Sequence, residues 1–234
     1  MILAKIAAAH DAPARANDRG VREETGGAGT SVRELLLPVP EQVDPILWIV
    51  RAATLVAFVL WTAWIFAGVD IAAGAAGSFF LWAILTPFHE AGHYLIFRWF
   101  GEFIMILGGT LAQHGMPLLL AGLLLFKRRD AYGAALFLWL FGWSWIMMAV
   151  YMYDAFDPRM LLLDGRTGAD SDGHDWQNIF GDLGLLKSAR GIGLLCGGIG
   201  RVIMVASLLW AALVLWRMRA RRSDNPFAET GDLD

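Results

Sequence analysis

Five residues carry the clearest chemistry in the sequence: His89-Glu90-Ala91-Gly92-His93. Histidines four apart stand on one helical face, about 6 Å apart along the axis, so both imidazoles can hold a single metal ion. H-E-x-x-H is the arrangement of zinc hydrolases: the two histidines ligate the metal, and the glutamate beside them serves as general base toward a water. The setting strengthens the motif. Between Gly77 and Phe97 the chain is otherwise apolar, and these two histidines and one glutamate are its only charged or imidazole side chains. Such groups are costly in hydrocarbon and mark a functional site by default.

A catalytic zinc takes three protein donors and leaves a fourth position to water. His174, in Gly173-His174-Asp175-Trp176, is the expected third ligand, because its loop emerges at the end of the span that carries His93. Trp176 suits anchoring that loop at a membrane interface. Asp175, Asp164, His114, Asp154 and Asn178 are further candidates, either as the ligand or as the partner that orients a ligating imidazole. If 174–182 is helical, His174 and Asn178 share a face, which leaves Asp175 free to orient a ring. Asp164 precedes Gly165 and also reads as a simple turn. Gly92 allows close approach of a neighbouring helix or a substrate, and Pro87 removes one backbone hydrogen bond just before the motif.

The elements that must position these groups are transmembrane helices. With 57% hydrophobic and 18% charged residues, the chain lacks the polar surface of a soluble domain, so an all-α, polytopic transmembrane bundle is expected. A span needs about 20 apolar residues, and about five fit, near 46–68, 77–98, 103–126, 131–152 and 193–216. Residues 1–45 read as a flexible polar tail with a short amphipathic stretch around Val32–Leu37. Residues 46–216 form the transmembrane domain, interrupted by a polar loop at 153–190, and 217–234 form a charged tail. Lys127, Arg128, Arg129, Arg217, Arg219, Arg221 and Arg222 cluster at one end of the spans. Positive-inside counting puts that end, with the C-terminus, in the cytoplasm of a bacterial inner membrane and the long loop outside.

Other features have plainer readings. Gly193 and Gly197 suit close helix packing inside the bundle. Arg51 and Arg201 are expected to snorkel toward helix ends, and most tryptophans belong to the interface belts. The single cysteine, Cys196, excludes an intrachain disulfide and a Cys-based zinc cluster. A net charge of −3 carries no signature of nucleic-acid binding. The expected partners are the bilayer and a membrane protein or peptide substrate.

H-E-A-G-H within a transmembrane helix resembles the site-2 protease class of intramembrane zinc metalloproteases, whose motif commonly reads H-E-x-G-H. The resemblance implies Zn²⁺, hydrolysis of a peptide bond in or near the membrane, and an Asp ligand from a later x-D-G motif. Leu163-Asp164-Gly165 matches that motif in letters, but lies in a polar loop instead of a span, so His174 and Asp175 remain preferred. The five-span layout with a His-Asp-Trp loop also resembles a group of bacterial membrane proteins of undefined function. Rival readings are a zinc hydrolase acting on a lipid amide or ester, and a metal-binding membrane scaffold without turnover.

Overall fold

The computed structural model describes residues 31–38, 42–74 and 79–219. Seven α-helices are present among the described residues: α1 Val32–Leu36, α2 Pro45–Gly68, α3 Phe79–Ala91, α4 Glu102–Gly122, α5 Ala131–Asp154, α6 Asp175–Asp182 and α7 Ala189–Arg219. These residues contain no β-strand, only one isolated bridge between Leu161 and Thr167. The all-α transmembrane bundle expected from composition is the fold observed. Most of the 1–45 tail, including His10, and residues 220–234 lie outside the described residues; α1 coincides with the amphipathic stretch at Val32–Leu37.

Among the described residues, four segments are long and apolar enough to cross a membrane: Pro45–Gly68, Glu102–Lys127, Ala131–Asp154 and Leu186–Arg219. Of the remaining expected span, 77–98, the described residues begin at Phe79. α3 runs for 13 residues and then widens into a π-helical turn over Gly92–Ile96. Its hydropathy is reduced by the same His89, Glu90 and His93 that make it interesting. The last helix, Ala189–Arg219, is longer than 193–216, and Arg190 in its first turn lies over the Tyr153 and Phe156 rings (5.4 and 4.6 Å to the centroids).

Local sequence explains the helix boundaries. Asp44 and Asp130 cap α2 and α5, their carboxylates accepting from Ile46 N–H and Gly133 N–H. Gly101 has φ +92°, a left-handed conformation that lets the chain reverse sharply after the π turn and start α4 beside it. The polar 153–190 segment is ordered by a capped helix, α6, and a 3₁₀ turn at Leu186–Ser188.

α5 and α7 pack along most of their length. Small residues permit this: a Cβ on Gly142 would meet the Gly200 carbonyl at 2.8 Å, and one on Gly193 would meet the Ala149 carbonyl at 2.8 Å. The Gly193/Gly197 pair therefore serves packing within the monomer. α2 lies against α7 and reaches α5, where Trp139 Nε1–H donates to Thr62 Oγ1 (2.8 Å). α3 docks on α4. Arg51 pairs with Asp130 (3.2 Å), and Arg201 donates to the Val69 carbonyl at the end of α2 (3.3 Å). Antiparallel neighbours thus gather the end of α3, the start of α4, the end of α5 and helix α6 at one end of the bundle.

Candidate metal centre

His89 lies in the last turn of α3 and His93 in the π turn that follows, so both rings leave the same face toward α4 and α6. Their Nε2 atoms are 3.0 Å apart. Asp175, the first residue of α6, completes the group: its Oδ2 is 2.9 Å from His89 Nε2 and 3.2 Å from His93 Nε2. These are the only three His, Cys, Asp or Glu side chains among the described residues that converge in this way.

The convergence fits a metal ion. Donors held about 2.0–2.1 Å from a tetrahedral zinc lie about 3.3 Å from one another, close to the separations seen. Hydrogen bonding also sets the tautomer of one ligand. His93 Nδ1–H donates to the Met105 carbonyl at 2.8 Å, which leaves its Nε2 as a bare lone pair aimed at the other two donors. His89 Nδ1 is buried and makes no hydrogen bond. Burial pushes the Asp175 carboxyl up, but the hydrogen bonds and charges of His89 and His93 outweigh it and hold the group below the ordinary carboxylate range. With protons on the imidazoles these contacts are hydrogen bonds to Asp175; with both Nε2 atoms deprotonated, their lone pairs and the carboxylate oxygen would repel one another unless a cation lay among them.

Glycines make the space. A Cβ on Gly109 of α4 would fall on the His93 and His89 rings, and one on Gly92 would fall on the Gly108 carbonyl. Gly92 therefore serves approach of a neighbouring helix. Gly108 and Gly109 carry no chemistry in the sequence; only the packing of α3 against α4 assigns them a role.

The expectation for His174 is corrected. His174 is the N-cap of α6, and its Nδ1 accepts from Gln177 N–H at 3.1 Å. Its Nε2–H then donates to Asp154 Oδ2 at 3.2 Å, and the whole side chain is buried. Both nitrogens are thereby used, and a capping side chain folds back on its own helix, whereas the next residue, Asp175, points outward to the histidines. Asp154 binds no metal ligand; it ties His174 and the Arg159 and Met160 backbone N–H groups to the end of α5.

Asp164, Asn178 and His114 are likewise placed away from the metal group. Asp164 sits in an exposed turn with Gly165 at φ +78°; its carboxyl is held below the usual range by the Arg166 backbone N–H and guanidinium. Asn178 donates to the Asp172 carbonyl (2.7 Å) and braces the loop before α6. His114 donates from Nδ1 to the Thr110 carbonyl one turn back (2.9 Å) and packs against Phe141 and Trp145. Tyr151, which sequence reasoning missed, positions Asp175 directly: its Oη accepts from Asp175 N–H at 3.1 Å, and its ring stacks on His174 at 4.2 Å.

The three donors open onto a cleft of about 1460 Å³ that Glu90 also lines. Trp82, Ile106, Met147 and Met148 form its apolar wall, and the 161–164 turn and α6 form its rim. The chain matches no protein-family model, no curated protein and no solved structure.

Proposed function

We propose that the protein is a membrane-embedded zinc hydrolase that cleaves a peptide bond at the edge of the bilayer, similar in chemistry to the site-2 protease class. The observation that carries this reading is the donor triad of His89, His93 and Asp175 with Glu90 on the wall of the same cleft. His89 Nε2, His93 Nε2 and Asp175 Oδ2 would hold the ion. Bound there, zinc supplies Lewis acidity, lowering the pKa of a water and polarising a carbonyl.

Glu90 is the proton carrier. It follows His89 directly, is excluded from the donor triad, and takes the proton of the attacking water; it passes that proton to the amide nitrogen as the C–N bond breaks. The Met105 carbonyl fixes the His93 ring, and Tyr151 holds the backbone of Asp175, so the triad is set before substrate arrives. The size of the cleft supports a bulky substrate, being larger than the roughly 300–1,000 Å³ pockets that enclose a small ligand. The clustered basic residues at the far end of α4 and α7 support a bacterial inner membrane with the C-terminus inside and the metal end facing outward.

Glu90→Gln tests the reading. The variant retains one zinc per chain, measured by metal analysis of protein in nanodiscs, and loses hydrolysis by about 10²–10⁴-fold. Unchanged turnover in Glu90→Gln would falsify the assignment of the base and leave a metal-binding scaffold as the better description.

A further inference from the structure

The cleft above the metal group is charged with one sign only. Among the described residues, six acidic side chains line it, namely Glu90, Glu102, Asp164, Asp172, Asp175 and Asp182, and no lysine or arginine does. Two of the six, Glu90 and Asp175, are occupied with the metal and its water in the proposed mechanism, and Asp164 is neutralised by Arg166 at 2.8 Å. Glu102 at the start of α4, Asp172 in the loop and Asp182 at the end of α6 remain, and none makes an ion pair among the described residues. All three are exposed at the rim. Beneath them the wall is apolar, from Phe103 and Ile106 of α4 to Trp82 of α3 and Met147 and Met148 of α5. A single-sign rim above a low-dielectric wall concentrates its field on whatever enters.

We infer that the cleft selects an apolar polypeptide segment flanked by basic side chains, with Glu102, Asp172 and Asp182 determining that specificity. The apolar part of such a segment lies against the Trp82, Ile106 and Met147 wall, and its Lys or Arg side chains meet the three unpaired carboxylates. An anionic phospholipid head group is disfavoured by the same charges, since its phosphate would pass three carboxylates at a rim with no lysine or arginine. This selectivity rests on the hydrolase reading for the cleft it uses, but it concerns binding and is read without turnover.

The test uses full-length Glu90→Gln protein in phosphatidylcholine nanodiscs loaded with zinc. Three fluorescent peptides share one apolar segment and differ only in a flank of Lys-Lys, Gln-Gln or Glu-Glu. The Lys-Lys peptide is expected to bind about fivefold more tightly than Gln-Gln, the scale of two partly exposed ion pairs, with Glu-Glu weakest. The gap narrows as salt rises. In protein that also carries Glu102→Gln, Asp172→Asn and Asp182→Asn the three affinities converge. Equal affinities in the parent protein, a preference for Glu-Glu, or no binding of any peptide overturns the inference. Lys-Lys preference without cleavage by the wild-type protein keeps it and refutes the hydrolase reading; cleavage without charge preference does the reverse.

Discussion

At the scale of single residues, the decisive point is the division of labour between His174 and Asp175. Adjacent in sequence, they are held apart in role by one helix start. His174 caps α6 and bonds Asp154, while Asp175 turns toward the imidazoles. Asp175→Ala is therefore expected to weaken zinc affinity by more than about 100-fold, beyond the roughly 10–100-fold typical of a residue that only orients a ligand. His174→Ala leaves the donor triad intact. It removes the cap and one of the hydrogen bonds that Asp154 accepts, at a cost of about 1–3 kcal/mol of stability. Competition with a chromophoric chelator separates the two variants, and thermal unfolding of the zinc-free proteins in detergent should rank them in the opposite order. If His174→Ala loses more zinc than Asp175→Ala, the assignment of the third donor is wrong.

At the scale of helices, glycines decide how closely the backbones approach. α4 carries four: Gly109 faces the imidazoles, Gly108 faces Phe97, and Gly115 and Gly122 lie away from the site. Gly109→Ala drives a methyl group into the His93 and His89 rings, so zinc affinity should fall while the helix itself is favoured by the change. At Gly115 no atom lies within 4 Å of the place a Cβ would take; Gly115→Ala should leave zinc binding unaltered and add up to about 1 kcal/mol of stability. The α5–α7 contact depends on Gly142 and Gly200 facing one another. Gly142→Val overpacks that crossing and should cost about 1–3 kcal/mol, read as a lower midpoint in denaturant titration of the micellar protein. An unchanged midpoint would mean the two helices part more easily than their geometry indicates.

At the scale of the whole molecule, the His89, His93 and Asp175 group bridges α3 with its π turn and the α6 segment, which otherwise meet the bundle through α4 and α5. Chelation should therefore loosen one end of the molecule selectively. Zinc at about 100 times its dissociation constant stabilises by about 2.7 kcal/mol, and a chelator removes that increment from the thermal transition. Hydrogen exchange should quicken across 172–182 and the π turn at 92–96, with α5 and α7 staying protected. Uniform quickening along the chain would show that the ion is not a local clasp.

The transmembrane class, the approximate spans, the His89-Glu90-His93 motif and the end of the bundle where it lies were all legible in the sequence, because hydropathy and helical periodicity are properties of local residue order. Asp175 over His174, the space left by Gly108 and Gly109, the brace from Tyr151 and the acid-only rim were decided by tertiary structure. Each depends on where one helix start or one close approach directs a side chain. His89 and Asp175 meet across 86 positions of chain, and a contact of that kind leaves no local pattern to read.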